Sequence, residues 1–192
     1  MRLHRNLTYA VIDSLRDVFN EGEYAGKALK RDKRWGSRDR KFVAETIYEI
    51  IRWKRLYAEI AEVKEPFDRP NLWRIFSVWC VLKGIALPDW NQIEPTPTRR
   101  IKGKFDELSK IRKYRESIPD WMDDLCVSEL GETLWTKEMA ALNVQADVVL
   151  RVNTLNVTKE QLQKELEAES IFTETLPNHP DAIKLIERAN VF

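Results

Sequence analysis

Two stretches of the chain concentrate the side chains able to do chemistry, and both are basic. Lys27, Lys30, Arg31, Lys33, Arg34, Arg38, Arg40 and Lys41 stand against only Asp32 and Asp39. Arg99, Arg100, Lys102, Lys104, Lys110, Arg112, Lys113 and Arg115 stand against Asp106 and Glu107. Guanidinium and ammonium groups at this density bind phosphate. Acidic residues elsewhere bring the total charge to +1, but segregated patches steer a polyanion where a total charge cannot. The competing account is that these are solvated helix faces, as single charge runs usually are. Two clusters in one small chain leave the two accounts level. Trp35 and Trp53, beside basic residues, could stack on bases, with buried packing the favoured fate of each.

The tools of an enzyme are missing. The six glycines (Gly22, Gly26, Gly36, Gly84, Gly103, Gly131) form neither a dinucleotide fingerprint nor a phosphate loop. His4 and His179 have no Cys or His at metal-ligand spacing, so no metal partner is expected. No serine stands in a nucleophile-elbow context. Asp123 and Asp124 are adjacent, so on a helix they do not face each other, and an exposed, dipole-complementing role is expected of them. Cys80 and Cys126 lie far apart in apolar patterns, the usage of a reducing compartment. No apolar run is long enough to span a bilayer. Met1 to Arg5 is not followed by the uninterrupted apolar stretch of a signal peptide. A cytoplasmic location without a membrane partner is expected.

The elements that must position the basic residues are mostly helical. Leu7, Val11, Leu15 and Val18 predict an amphipathic helix over 6–20. A short helix around Tyr24 to Lys33 ends at Trp35-Gly36, and Ser37 caps a third that runs toward Ala61. Pro66 and Pro70 punctuate before an apolar helix from Leu72 to Lys83, which belongs in the middle of a bundle. Pro88 to Pro97 reads as a loop, and a basic helix follows from Arg99 to Tyr114. Pro119 opens a helix stopped at Gly131, with Trp121 expected in the core, and another runs from Glu132 to Asn143. Val148–Val152 is a short β-branched strand. Thr158 and Gln161 form a capping box for a helix over 159–168. Ile171–Leu176 and Ala182–Ile186 alternate as two further strands. The expected fold class is mainly α, with a small β-α-β-β α+β unit that has its own leading helices. The boundary falls near Ser117, giving domains 1–116 and 117–192.

Two stretches resemble known families. Ser37-Arg38-Asp39-Arg40-Lys41-Phe42-Val43 through Ile50-Ile51-Arg52 is similar to the "DR.F...LVYGVLR" helix of NusB-like domains. Ser117-Ile118-Pro119-Asp120-Trp121-Met122, then Leu130-Gly131, then Leu150-Arg151-Val152-Asn153-Thr154-Leu155, resembles the "S.P.WL…YG…LRVNTL" signature of Sun/RsmB-type ribosomal RNA cytosine-5 methyltransferases. The segment from Pro180 to Phe192 looks like the stretch just ahead of that family's catalytic domain. One departure stands out: the late "FVN.VLR" helix of the NusB-like domain is not recognisable, and the proline loop and basic helix occupy its place.

The resemblance implies a NusB-like helical bundle followed by an RNA-binding α+β domain, together the N-terminal half of such an enzyme. It further implies ribosomal RNA as partner, and S-adenosylmethionine as cofactor of a catalytic domain outside this chain. This chain itself is expected to bind no cofactor and to be inactive alone, since Cys80 and Cys126 lack the family's Pro-Cys and Thr-Cys contexts. The candidate RNA-contacting residues are Lys27, Lys30, Arg31, Arg34, Arg38, Arg40, Arg52, Arg99, Arg100, Lys102, Lys104, Arg112, Lys113 and Arg151. For Arg40 a pairing role at the helix start competes with RNA contact, and for Arg151 a turn-making hydrogen bond does. The alternative function is a NusB-like protein–protein or RNA adaptor with no associated activity.

Overall fold

The computed structural model describes residues 3–28, 30, 35–93 and 97–189, the Ala28 side chain excepted. Among them are ten helices and three strands, in the order of a long helical run followed by β-α-β-β. This is the mainly α class with a small α+β unit read from the sequence. Two compact units divide the chain, Met1–Ala140 and Ala141–Phe192.

In the first unit, α1 (Arg5–Glu21) buries Val11, Ile12 and Leu15, as its period requires. After the short α2 (Ala25–Ala28), the expected single helix from Ser37 to Ala61 is two, α3 (Ser37–Arg52) and α4 (Lys54–Ala61). Trp53, at φ −101° and ψ 20°, makes the break. On a continuous helix Ile50 and Leu56 would lie about 120° apart; the break lets both be buried. Gly36, not Ser37, takes the capping position of α3, and no side chain caps it. Residues 31–34 of the expected second helix lie outside the described residues.

The apolar helix is the hub. In α5 (Arg69–Leu82) nine residues are buried, from Leu72 and Trp73 to Cys80 and Val81. It starts earlier than expected because Asp68 accepts the Asn71 N–H at 2.7 Å and Pro70 sits in the first turn, where its missing N–H costs nothing. Helices α1, α3, α4 and α6 pack against it. The Trp73 ring meets Tyr9, Phe76 and Trp90 edge-on, at 5.3, 6.0 and 6.3 Å. Burial pushes the Cys80 thiol up to about 12, so it behaves as a small hydrophobe.

The basic helix is also interrupted, into α6 (Thr98–Leu108) and α7 (Arg112–Arg115). The Ser109 hydroxyl donates to the Asp106 carbonyl at 3.3 Å, competing with the helix ladder, and Ile111 is extended. Next come α8 (Asp120–Leu130) and α9 (Glu132–Leu142), joined by Gly131 at φ 76° and ψ 156°, a conformation open essentially only to glycine. Ile118, Trp135 and Met139 form a separate small core with Met122, Cys126 and Val127. Two expectations fail in this hairpin. Trp121 is 64% exposed rather than in the core. Asp123 is no exposed dipole partner: its carboxylate accepts from Arg112 at 2.7 Å and from the Trp135 indole at 2.8 Å.

The second unit holds β1 (Val149–Arg151), α10 (Lys159–Ala168), β2 (Thr173–Leu176) and β3 (His179–Leu185) in an antiparallel sheet of order β1-β3-β2. Ile183 of the central strand pairs with Leu150 on one side and Thr175 on the other, and it is buried with Leu185 and Val152. The capping box is formed: Thr158 accepts the Gln161 N–H at 3.3 Å while the Gln161 side chain accepts the Thr158 N–H at 3.0 Å. β3 begins three residues earlier than its alternation suggests, because the chain turns at Pro177-Asn178 directly into the hairpin.

The Arg112 guanidinium, 14% exposed, ties α7 to α8 and α9 by further bonds to Glu132 at 3.0 Å and Thr136 at 3.1 Å. Replacing it with Ala should cost about 2 kcal/mol, between the values for an exposed and a fully buried pair. Hydrogen bonding by Arg112, then by Trp135, holds the Asp123 carboxyl below its ordinary 3.8. Its stabilisation is therefore complete above that value and disappears as pH falls through the lowered one. Urea titrations should show Arg112→Ala with a lower midpoint at pH 7 and a flattened loss of stability into acid; an unchanged midpoint would refute the tie.

Candidate nucleic-acid interface

A cation can meet a phosphate only if the fold leaves it exposed and uncommitted, and the predicted cations divide sharply on that test. On α3, the buried stripe Val43, Thr46, Ile47 and Ile50 turns the opposite face outward. Arg38 and Lys41 lie on that outward face, with Tyr48 further along it. Arg38 and Arg40 are exposed, and their side chains make no hydrogen bond or ion pair among the described residues. Lys41 is only loosely held, 3.8 Å from Glu45. Lys30 is exposed in the turn after α2, and Lys27 is paired with Glu23 at 2.7 Å. Arg31 and Arg34 lie outside the described residues.

The second basic stretch behaves differently. On α6, Ile101 is buried and Arg99 and Lys102 are exposed without a described partner. Their neighbours are engaged: Arg100 and Lys104 converge on Glu62 at the end of α4, Arg100 at 2.6 Å. Hydrogen bonds from Lys104, then Arg100, hold the Glu62 carboxyl below its ordinary value. Further on, Arg112 is consumed by the α8–α9 hairpin and Lys113 by Asp120 at 2.8 Å. Of the eight cations in this stretch, four are held by carboxylates on other elements.

Arg52 and Arg55 are consumed in the same way. Arg52 donates to the carbonyls of Glu116 at 3.0 Å and Ser117 at 3.4 Å, with its guanidinium 4.9 Å from the Trp53 ring centre. Burial pulls the Arg52 guanidinium below its ordinary value. Arg55, which no spacing rule singled out, donates to the Ile118 carbonyl and to Asp120 at 2.7 Å. Its own N–H donates to the Ser117 hydroxyl at 3.2 Å, and Ser117 takes a left-handed φ of 51°. The Ser117-Ile118-Pro119-Asp120 motif is thus read by two arginines of the helical bundle, and an open groove of 580 Å³ lies beside it. In the second unit Arg151 is exposed at the end of β1.

Among the described residues, no group of three or more His, Cys, Asp or Glu side chains could hold a metal ion, and no helix is long and apolar enough to cross a membrane. His4 precedes α1, its carbonyl accepting the Thr8 N–H at 3.0 Å, and His179 begins β3.

The described residues thus form a helical unit with exposed cations on α3 and α6, followed by a β-α-β-β unit. Residues 118–192 match the family of ferredoxin-like domains of RsmF/B-like methyltransferases. This bears out the resemblance carried by Ser117–Met122, Leu130-Gly131 and Leu150–Leu155. The crystal structure of PH0851 has a similar fold over 99% of this chain, with a TM-score of 0.54 and 18% sequence identity. This chain spans 50% of the length of that one. No curated protein matches.

The division of cations makes a directional prediction. Arg99→Glu with Lys102→Glu should weaken binding to single-stranded RNA several-fold without changing the thermal midpoint. Arg100→Glu with Lys104→Glu should lower that midpoint by breaking the clamp on Glu62. Circular dichroism melts beside filter-binding assays distinguish them; equal effects of both pairs would erase the division.

Proposed function

We propose that this chain is the RNA-recognition portion of an S-adenosylmethionine-dependent ribosomal RNA cytosine-5 methyltransferase, positioning RNA for a catalytic domain outside it. The match of residues 118–192 to the RsmF/B-like ferredoxin-like domain is the observation that carries this reading. The Leu150–Leu155 signature and the exposed cations of α3 and α6 support it. In this account residues 1–116 are a NusB-like domain, residues 117–192 the family's RNA-binding domain, and the protein works in the cytoplasm. Lys30, Arg38, Arg40, Arg99, Lys102 and Arg151 are the phosphate-contacting set. Arg52, Arg100, Lys104, Arg112 and Lys113 hold the scaffold instead, and Lys27 pairs with Glu23 on the surface.

The residues present do not suit the cofactor. The turns leading out of the described strands pass through Asn153-Thr154 and Pro177-Asn178, not through a glycine-rich loop onto a helix N-terminus. S-adenosylmethionine, bound outside this chain, would supply the methyl group. This chain's part is to neutralise phosphates and to fix the register of the RNA.

An adaptor role without enzyme activity is the second reading, and the exposure of Trp121, Leu125 and Leu134 on α8 and α9 favours it. Salt separates the two. Neutralising about six phosphates of a single strand should give a slope of log K against log salt near −4. Fluorescence anisotropy with a labelled single-stranded oligoribonucleotide across a salt series measures it. A flat dependence, or no binding at low salt, contradicts the RNA reading and leaves the adaptor.

A further inference from the structure

Two tyrosines on the outer side of the first unit are not absorbed by the core. Tyr24 is 76% exposed and Tyr48 is 46% exposed. Tyr24 immediately precedes α2, and α2 packs against α3, which carries Tyr48. Hydrogen bonding to Tyr24 raises the Tyr48 phenol above its ordinary value, a sign that the two hydroxyls meet. Neither ring belongs to the hydrophobic cluster formed by α1, α3 and α5.

The Tyr24 ring lies close over Gly26. A Cβ added at Gly26 would meet the ring at 2.5 Å (Cε1), 3.1 Å (Cδ1) and 3.3 Å (Cζ). Gly26 has no positive φ, so its conformation does not call for glycine, and a side chain there would push the Tyr24 ring aside. The ring rests on the bare Cα of Gly26, and most of its surface remains open to solvent. An aromatic side chain lying beside a helix, yet left uncovered, has a face to offer to something that stacks on it.

The surroundings choose the partner. Arg38 and Lys41 precede Tyr48 on the outward face of α3, and Lys30 follows α2. Arg38 and Lys30 are unpaired among the described residues, while Glu45 and Glu23 are occupied by Lys41 and Lys27. Exposed π-faces on a surface that also carries uncommitted cations are what single-stranded nucleic acid uses: bases stack, phosphates are neutralised, and no base identity is read.

We propose that Tyr24 and Tyr48, on a surface that also carries Lys30, Arg38 and Lys41, form a stacking platform for unpaired bases of single-stranded RNA. This rests on the RNA-recognition reading and adds to it a substrate form, unpaired rather than duplex RNA, and a place where the bases sit. Cations alone would bind either form.

The test uses the whole chain and two probes: a single-stranded oligoribonucleotide carrying 2-aminopurine, and a duplex of the same length. Wild type should bind the single strand and quench 2-aminopurine by stacking. Tyr24→Ala and Tyr48→Ala should each weaken single-strand affinity about tenfold and reduce the quench, with duplex affinity unchanged. Tyr24→Phe should keep both affinity and quench. Gly26→Ala, which displaces the ring while leaving the aromatic in the chain, should fall between, with an unchanged circular dichroism melt. If Tyr24→Ala and Tyr48→Ala bind the single strand as wild type does, while Arg38→Glu with Arg40→Glu still loses affinity, the platform is overturned and RNA recognition stands. If wild type binds neither RNA form, both fail together.

Discussion

The grip of Arg52 and Arg55 on the segment from Glu116 to Asp120 is the interaction on which the placement of α8 and α9 depends. Two guanidinium groups, from the end of α3 and the start of α4, take the carbonyls of three successive residues and one carboxylate. Carbonyls in a turn have no ladder partners, so unless a donor reaches them their burial is costly. Once they are held, the direction of the chain into α8 is fixed. The Gly131 corner then returns α9, and Arg112 closes the hairpin through Asp123 and Glu132. Removing that grip would release the Ile118–Trp135–Met139 core, which is too small to hold itself.

This architecture uses cations as structural parts, and that decides what remains for a ligand. Arg52, Arg55, Arg100, Lys104, Arg112 and Lys113 each donate to carbonyl or carboxylate oxygens elsewhere in the unit. A phosphate would have to compete with those oxygens, most steeply at Arg112, whose pair with Asp123 is largely shielded from solvent. The uncommitted cations lie near the start of α3, in the turn after α2 and on the outward side of α6. The near-zero net charge therefore conceals one population of cations inside the scaffold and another on its surface.

Periodicity made the helices, the strand order and the Thr158 capping box legible in the sequence, because burial of a stripe and a local cap are local properties. The breaks at Trp53 and Ser109 were not legible. Both fall where the helical pattern continues in sequence and tertiary packing overrides it. The binding candidates were legible as a class, since local charge density is a sum over neighbours. Their division was not: Glu62 lies 38 residues from Arg100 and Asp120 lies 65 from Arg55, separations over which no spacing rule operates. Trp121 misled for a related reason, since an apolar residue in a helical pattern says nothing of what faces it. Tyr24 was overlooked because the significance of Gly26 appears only when the ring is seen on its Cα.

The central claim is that RNA meets the surface of α3 and α6 and not the arginine-bound segment between α7 and α8. Photocrosslinking with a single-stranded oligoribonucleotide containing 4-thiouridine, followed by peptide mass spectrometry, tests this most directly. The account predicts adducts at Tyr24, at Tyr48 and within residues 98–105. Adducts confined to residues 112–123, with none on α3 or α6, would contradict it.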